Sequence, residues 1–328
     1  MFRLTASSLA PGFAAALGAA GVSSLPAAAL AQGESLRSEQ TAQPEELEIA
    51  PTPPDFPLWD FRVGADGYAT SEADFDGGPG SVRRSVAGAS VGTTITMSPR
   101  FQLRLDGRGE WRHYEFSDAT QFDPASGEPF DSLYRAYVDG LGLFQATDRW
   151  QAAFGARISS QGESDADVND SLAGRLYAGP IYEVSDDLTI GLGIVIQSRL
   201  EDSPLIAPAP LLTYRFNRAY SFHLNALEGV ELRYDPSERF GVALEFDWEY
   251  NEFRLDDDGF ARDGVFRETA VRIGLQANWR PTPRLDLTAG VGSFVWQEVE
   301  LLDAGGEELS QDNLMPSGYV TVGLRYRF

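Results

Sequence analysis

Residues 240–251 read Phe-Gly-Val-Ala-Leu-Glu-Phe-Asp-Trp-Glu-Tyr-Asn, and apolar and polar side chains alternate along most of this stretch. Every second residue from Phe240 to Tyr250 is apolar or aromatic, while Glu245, Asp247 and Glu249 lie between them. Successive side chains of a β-strand point to opposite faces. The pattern therefore predicts a strand with one apolar face and one charged face.

The same alternation recurs from Leu58 onward, for example in residues 101–112, 188–199 and 271–280. A soluble β-sandwich also alternates and is the competing architecture. These segments are about twice as long as the five or six residues of a typical strand, and a membrane-crossing strand needs about 9–11. Their apolar faces also finish in Trp, Tyr or Phe, as the aromatic girdles of a membrane barrel do. We therefore predict an all-β fold, a closed antiparallel transmembrane β-barrel over residues 58–328.

The connections fall into two classes, which fits the short turns and long loops at the two rims of such a barrel. The predicted short turns are 98–99, 147–148, 185–187, 217–219, 236–238 and 281–283, and the predicted long loops are 71–83, 117–131, 162–170, 255–264 and 300–315. A direct count gives thirteen strands, whereas a bacterial barrel with both ends on one rim needs an even number. Dividing 219–235 into strands Tyr220–Ala226 and Gly229–Tyr234 gives fourteen. Fourteen is our prediction, and twelve is the alternative.

The first 57 residues are predicted to form a targeting signal followed by a tether. Residues 1–31 carry Arg3, then an Ala- and Leu-rich stretch, then Ala29-Leu30-Ala31, which is the layout of a secretory signal peptide with its cleavage site. Residues 32–57 are rich in glutamate and proline and have little apolar surface to bury. We interpret them as a disordered periplasmic tether.

The last ten residues, Tyr319–Phe328, alternate up to a terminal aromatic residue. Leu324, Tyr326 and Phe328 stand at a spacing of two. This end resembles the C-terminal assembly signal of outer-membrane barrels, and the resemblance implies recognition by the barrel-assembly machinery. The predicted location is the bacterial outer membrane, with its lipid as a partner.

A second resemblance lies in residues 192–296, with the segments Pro208-Ala209-Pro210, 225–234 and 253–256. This part of the chain resembles an uncharacterised family of bacterial outer-membrane proteins whose domain has no known function. The resemblance covers about a third of the chain. It implies a barrel and carries no functional residues.

The composition excludes several functions. The chain has no cysteine, two histidines and a formal net charge of −23, and all 26 of its basic residues are arginine. No disulfide or thiolate site is possible, a histidine-rich metal site is not expected, and we predict no metal and no cofactor. So acidic a chain is a poor binder of a phosphate backbone, so we predict no nucleic-acid partner. The oligomeric state stays open.

Charged residues on the predicted inner faces are the candidate functional residues. An arginine on the lipid side would cost about 2–4 kcal/mol at the bilayer midplane, so these residues are expected to face the lumen. The lumen-lining candidates are Arg104, Asp106, Arg108, Glu110, Arg112, Glu245, Asp247, Glu249, Arg272 and Arg325.

The function we predict is passive diffusion of small polar or charged solutes through the lumen. A structural or surface-interaction barrel with a closed lumen is one alternative, because the long loops 117–131 and 300–315 could fold inward. A hydrolase using His223 is another, since Ser221, His223 and Asn225 share one strand face. Residues two apart on a strand are about 6–7 Å apart, so we expect Ser221 and His223 to be too distant for proton transfer.

Overall fold

The computed structural model describes residues 58–227, 229–257 and 259–328. The predicted signal peptide and tether lie outside the described residues. The strands are β1 (Leu58–Thr70), β2 (Ala73–Asp74), β3 (Ser81–Ser98), β4 (Phe101–Ser117), β5 (Ser132–Gln145), β6 (Trp150–Gly162), β7 (Leu172–Ser185), β8 (Leu188–Gln197), β9 (Leu205–Arg215), β10 (Tyr220–Asn225), β11 (Gly229–Ser237), β12 (Phe240–Arg254), β13 (Val265–Thr282), β14 (Leu285–Leu302), β15 (Glu308–Leu314) and β16 (Ser317–Arg327).

Fourteen of these strands form a closed antiparallel barrel. Each barrel strand pairs with its neighbours in chain order, and β1 closes the ring by pairing with both β16 and β3. The prediction of fourteen strands is confirmed, including the division of 219–235 into β10 and β11, and the alternative of twelve is wrong. The short strands β2 and β15, which the sequence did not suggest, extend the sheet beyond β3 and β14.

The outer face of the barrel is apolar and exposed. Ile194 and Ile206 are 58% and 68% exposed, and Val322 on β16 is similar. Aromatic side chains gather near the rim of short turns, including the pairs Trp150–Tyr182 and Tyr220–Tyr234. Such a surface is stable only against lipid, so the barrel spans a membrane. Among the described residues, no helix is long and apolar enough to cross one.

The barrel wall is uneven in height. Strands β3, β4, β13 and β14 have 17 or 18 residues, whereas β10 has 6 and β11 has 9. The six predicted short turns lie on one rim and the five predicted long loops on the other, which in outer-membrane barrels are the periplasmic and extracellular rims. The tall strands therefore project beyond the lipid on the extracellular side.

Above the membrane the tall strands draw together and close the barrel on one side. Gly162 at the end of β6 pairs in parallel with Arg254 at the end of β12, although these strands are six positions apart around the ring. Arg135 on β5 donates a hydrogen bond of 2.6 Å to Asn251 on β12, directly across the lumen. The cross-section is pinched at this level, and strands β6 to β12 enclose a separate part of the lumen, the β6–β12 sector.

The hydrophobic core lies on the other side of this pinch, at the extracellular end. We call it the apolar cap; its members are Ala73, Phe75, Val82, Tyr114, Ala119, Phe122, Phe130, Leu133, Phe253, Leu255, Ala261, Phe266, Val299, Leu301 and Leu314. Phe122 and Phe130 come from the loop between β4 and β5, and the ring centroids of Phe130 and Phe266 are 4.6 Å apart. The expectation that loop 117–131 could fold inward matches this packing, and segment 300–315 contributes Leu314 through β15.

Candidate functional site

The charged residues of β4 lie on the face opposite the lipid. Asp106 accepts hydrogen bonds from Arg104 at 2.5 Å and from Arg62 of β1 at 2.6 Å. Arg108 donates two hydrogen bonds, of 2.6 and 2.7 Å, to the carboxylate of Asp66 on β1. A guanidinium that holds a carboxylate with both arms is strongly oriented, so these pairs fix side chains of β4 against β1.

Glu110 is a hub in the middle of this wall. Its carboxylate pairs with Arg108 at 3.1 Å, with Arg112 at 3.8 Å and with Arg135 of β5. The Glu110 side chain is 7% exposed. A carboxylate this deeply buried is stable because three guanidinium groups replace its hydration.

Glu268 is a second hub, and the sequence analysis did not single it out. It pairs with Arg84 of β3 and, at 3.3 Å, with Arg112 of β4, and it accepts a hydrogen bond from the Tyr114 hydroxyl. Its side chain is 2% exposed. It joins β13 to the opposite wall just below the apolar cap.

The predicted acidic residues of β12 form a third group. Arg272 of β13 lies 2.9 Å from Asp247 and 3.1 Å from Glu249. Glu245 has no arginine within 4.0 Å among the described residues, and its Cα partner on β11 is another carboxylate, Glu231. Glu231 is itself paired with Arg233 at 2.8 Å.

On the inner faces of β5 to β7, in contrast, arginines outnumber carboxylates. Asp139 binds Arg157 at 3.0 Å and accepts a hydrogen bond of 3.4 Å from Tyr177. Arg175 is the Cα partner of Arg157, and its Nε donates to Gln197 at 3.0 Å. The Nη1 atom of Arg175 is buried without a hydrogen-bond partner. Asp139 is thus paired with Arg157, while the neighbouring Arg175 is bonded to the neutral Gln197.

Arg325 lies near the periplasmic rim, where Asp286 is its Cα partner. Asp286 also binds Arg280 at 3.0 Å and Arg327 at 3.1 Å. The predicted assembly-signal residues Leu324 and Phe328 are exposed on the outer surface, and the Tyr326 ring meets that of Phe328 edge-on at 5.1 Å.

The expectation that Ser221 and His223 would be too far apart is wrong. Their Oγ and Nε2 atoms are 3.0 Å apart, because the side chains bend toward each other. The other ring nitrogen of His223, however, lies 3.4 Å from the hydroxyl of Thr213 rather than against a carboxylate. A nucleophile activated by histidine also needs a group that orients the ring and donors for an oxyanion. Glu231 is the Cα partner of His223 on β11 but is paired with Arg233, and no described carboxylate hydrogen-bonds the His223 ring. Among the described residues no cluster of acidic and histidine side chains is arranged to hold a metal.

The loop between β8 and β9 lies across the extracellular side of the β6–β12 sector. The Arg199 Nε donates to the Tyr250 hydroxyl at 2.9 Å, and the Leu200 backbone N–H donates to Glu252 at 2.9 Å. Asp202 binds Arg267 of β13 at 2.8 Å. We call residues 198–204 the strap, because they tie the short strands to the tall ones.

A second contact between loops is acidic. Glu163, just beyond the end of β6, accepts a hydrogen bond of 2.9 Å from the backbone N–H of Asp256, beyond the end of β12. Burial raises the pKa of the Glu163 carboxyl to about 7, and neighbouring Asp256, Asp131 and Asp165 raise it as well, against the lowering effect of that hydrogen bond. The surroundings of Glu163 as a whole therefore favour its protonated form, although the hydrogen bond by itself favours the carboxylate.

Comparison with known proteins gives a family. A model described as a domain of unknown function (DUF6268) matches residues 152–327, more than half of the chain. The chain belongs to the DUF6268 family. No match is found among curated proteins.

The DUF6268 match begins in β6 and runs to the last residue of β16. It therefore includes Arg157, Arg175 and Glu245, and it leaves strands β1 to β5 outside. The protein is an outer-membrane β-barrel, as its closed sheet, lipid-facing surface and charged interior require.

Solved structures resemble the barrel at low identity. The toluene transporter TodX of P. putida has a TM-score of 0.42 and 9% identity, over 82% of this chain and 89% of its own. An outer membrane channel from Pseudomonas putida F1 has a TM-score of 0.43 and 10% identity, over 88% of this chain and 100% of its own. KdgM porin has a TM-score of 0.33 and 11% identity, over 81% and 99%. Each is a likeness of fold alone.

Proposed function

We propose that the barrel is a passive channel for small polar or charged solutes, and that the solutes pass through the β6–β12 sector. The main support is that charged side chains on the inner face of this sector remain accessible to water. Glu231 and Arg233 of β11 are 24% and 21% exposed, and Arg272 of β13, which pairs with Asp247 of β12, is 28% exposed. Charged walls that keep their hydration are what a selective aqueous pore uses.

The unequal strands support this path. The apolar cap fills the extracellular end on the side of the tall strands, where Arg84, Arg112 and Glu268 are almost fully buried. On the side of β7 to β11 the wall is short, and the strap is the segment that crosses it. A solute leaving the β6–β12 sector therefore has to pass the strap rather than the cap.

The apolar cap also favours one alternative, a closed barrel whose interior is structural. In that case the buried ion pairs fill the barrel and no ion crosses. Fourteen strands lie between the eight that side chains can fill and the 16–18 of open porins, so strand number does not decide between the two.

Single-channel recording of the refolded protein in planar bilayers separates them. The channel proposal expects stepwise conductance in both polarities. It also expects Asp202→Asn, which loosens the strap from Arg267, to raise the open fraction. Asp165→Asn is the matched control, since it removes one carboxylate from an exposed loop position and is expected to leave the recording unchanged.

A protein that conducts no current, with Asp202 intact or replaced, would be a closed barrel. Folding of each variant is checked by its heat-modifiable migration on gels. The hydrolase alternative needs its own assay: a His223→Ala variant that retains any lipase or protease activity of the parent would exclude the catalytic role of His223 and leave it a hydrogen-bonded wall residue.

A further inference from the structure

The two signs of charge are separated on opposite walls of the lumen. Among the described residues, the inner faces of β4 to β7 carry six arginines against four carboxylates, and those of β11 and β12 carry five carboxylates against one arginine. The first set is Arg104, Arg108, Arg112, Arg135, Arg157 and Arg175 with Asp106, Glu110, Asp139 and, near the periplasmic rim, Glu183; the second is Glu231, Asp235, Glu245, Asp247 and Glu249 with Arg233.

The wall between them is nearly uncharged. The inner faces of β8, β9 and β10 carry small or neutral side chains, and Gly191, Gly193 and Ala209 remain partly accessible to water. Arg215, near the periplasmic rim, is the one charged residue on these three inner faces among the described residues. Among the described residues these three strands place no charge between the two walls away from the periplasmic rim, so the field between the walls crosses the β6–β12 sector.

The two walls also face each other at the same height. Arg157 is seven residues above Trp150, where β6 begins at the periplasmic rim, and Asp247 is seven residues above Phe240, where β12 begins. Because both strands rise by about 3.3 Å per residue, the two positions are level.

Each wall has a charge or donor that its neighbours leave unmatched. On the basic wall the Nη1 atom of Arg175 is buried and has no hydrogen-bond partner. On the acidic wall Glu245 has no arginine within 4.0 Å and stands opposite Glu231, and an oxygen of Glu249 is buried without a partner. A buried polar group without a partner in the protein is where a bound ligand or water is expected.

We propose that the β6–β12 sector selects small zwitterions, such as α-amino acids, with the carboxylate toward Arg157 and Arg175 and the ammonium toward Glu245 and Asp247. This inference rests on the proposed channel function. A solute with one charge is attracted by one wall and repelled by the other. A zwitterion aligned across the sector is favoured by both, and its carboxylate matches the fork of an arginine.

Flux into proteoliposomes tests this with two isomers, L-alanine and lactamide, which have the same atoms but differ in charge separation. The wild type is expected to pass alanine severalfold faster than lactamide. Arg175→Gln and Glu245→Gln are each expected to bring the ratio close to one, whereas Arg175→Lys keeps it above one. Arg83→Gln, at an exposed position of the outer surface, is the matched control and keeps the wild-type ratio.

Reversal potentials in a salt gradient give an independent readout. Arg175→Gln is expected to shift selectivity toward cations and Glu245→Gln toward anions, so the two shifts have opposite signs. Equal rates for alanine and lactamide in a wild type that conducts salt would overturn the zwitterion inference and leave the channel intact.

If the wild type conducts no salt, the channel proposal fails, and binding is still measurable. Saturation-transfer NMR with detergent-solubilised protein is then expected to detect alanine and not lactamide, with the alanine signal lost in the Arg175→Gln and Glu245→Gln variants. Equal signals for the two isomers would overturn the inference there too.

Discussion

Replacing Glu268 by glutamine is expected to destabilise the barrel by about 3–5 kcal/mol, the usual cost of removing one partner from a buried ion pair. Glu268 is 2% exposed and pairs with Arg84 and Arg112, which are 4% and 3% exposed. Without its charge, Arg84 is left facing aromatic rings, with its guanidinium carbon 4.6 Å from the ring centre of Phe294. Among the described residues Arg84 has no second ion pair, whereas Arg112 keeps its pair with Glu110 at 3.8 Å.

The assay is equilibrium unfolding in urea in detergent micelles, followed by tryptophan fluorescence. A loss of 3–5 kcal/mol corresponds to roughly a 100- to 5,000-fold change in the unfolding constant. The matched control is Glu115→Gln on the β3–β4 hairpin, which also carries Arg84 and Arg112; its pair with Arg83 is 3.8 Å long and both side chains are more than half exposed. Exposed pairs contribute about 0–1 kcal/mol, so the control is expected to lose at most that. Equal losses in the two variants would refute the view that burial makes the Glu268 hub strong.

Three further perturbations test other parts of the molecule. Burial holds the pKa of Glu163 at about 7, against about 4.5 in an unfolded chain, so its protonated form stabilises the fold at low pH. This stabilisation is lost as pH rises through 7. Glu163→Gln is therefore expected to flatten the pH dependence of the urea midpoint between 4.5 and 7. Ile194→Arg on the lipid face should cost about 2–4 kcal/mol in vesicles, while Thr189→Arg on the inner face of the same strand should cost clearly less; similar costs would contradict the assigned faces. Deleting Phe328 should lower the assembled fraction in cells severalfold and leave refolding in detergent unchanged, whereas normal assembly would remove the case for an assembly signal.

Within the membrane, the sequence was sufficient to predict the fold. Lipid outside and water inside impose the two-residue period on every strand, so alternation gives the two faces of each strand, and the lengths of the connections give the two rims. The division of β10 from β11 followed from parity because both ends of the barrel had to reach the same rim.

Above the membrane the polarity of the two faces is reversed, with apolar side chains inside and charged ones outside, and there the prediction from sequence failed. In residues 265–270 the inner face carries the apolar cap residue Phe266, while Arg267 points outward to Glu252 and Glu300. Outside lipid an exposed face can be polar and an inner face dry. The predicted strand therefore began at residue 271, and Glu268 was missed.

The contacts of the lumen could not be predicted either, since they depend on the shape of the cross-section. Nothing in the order of residues indicates that Arg135 reaches Asn251 on the far wall, because that contact exists only where the ring is pinched. The Ser221–His223 distance failed for a different reason. Backbone rise fixes the spacing of Cα atoms, but flexible side chains decide where the reactive atoms meet.

The shortness of β10 leaves an unpaired margin on β9, and the sequence of β9 fits that margin. Ala226, just past the end of β10, donates its N–H to the carbonyl of Pro210, so the polar backbone atoms of Pro210 point toward β10. Pro208, two residues farther along, points the same way, beyond the place where β10 stops. Proline has no N–H, so positions 208 and 210 present no donor that would otherwise stand unbonded in lipid or recruit a foreign strand. The barrel wall can thus be low at β10 without promoting edge-to-edge pairing with another chain.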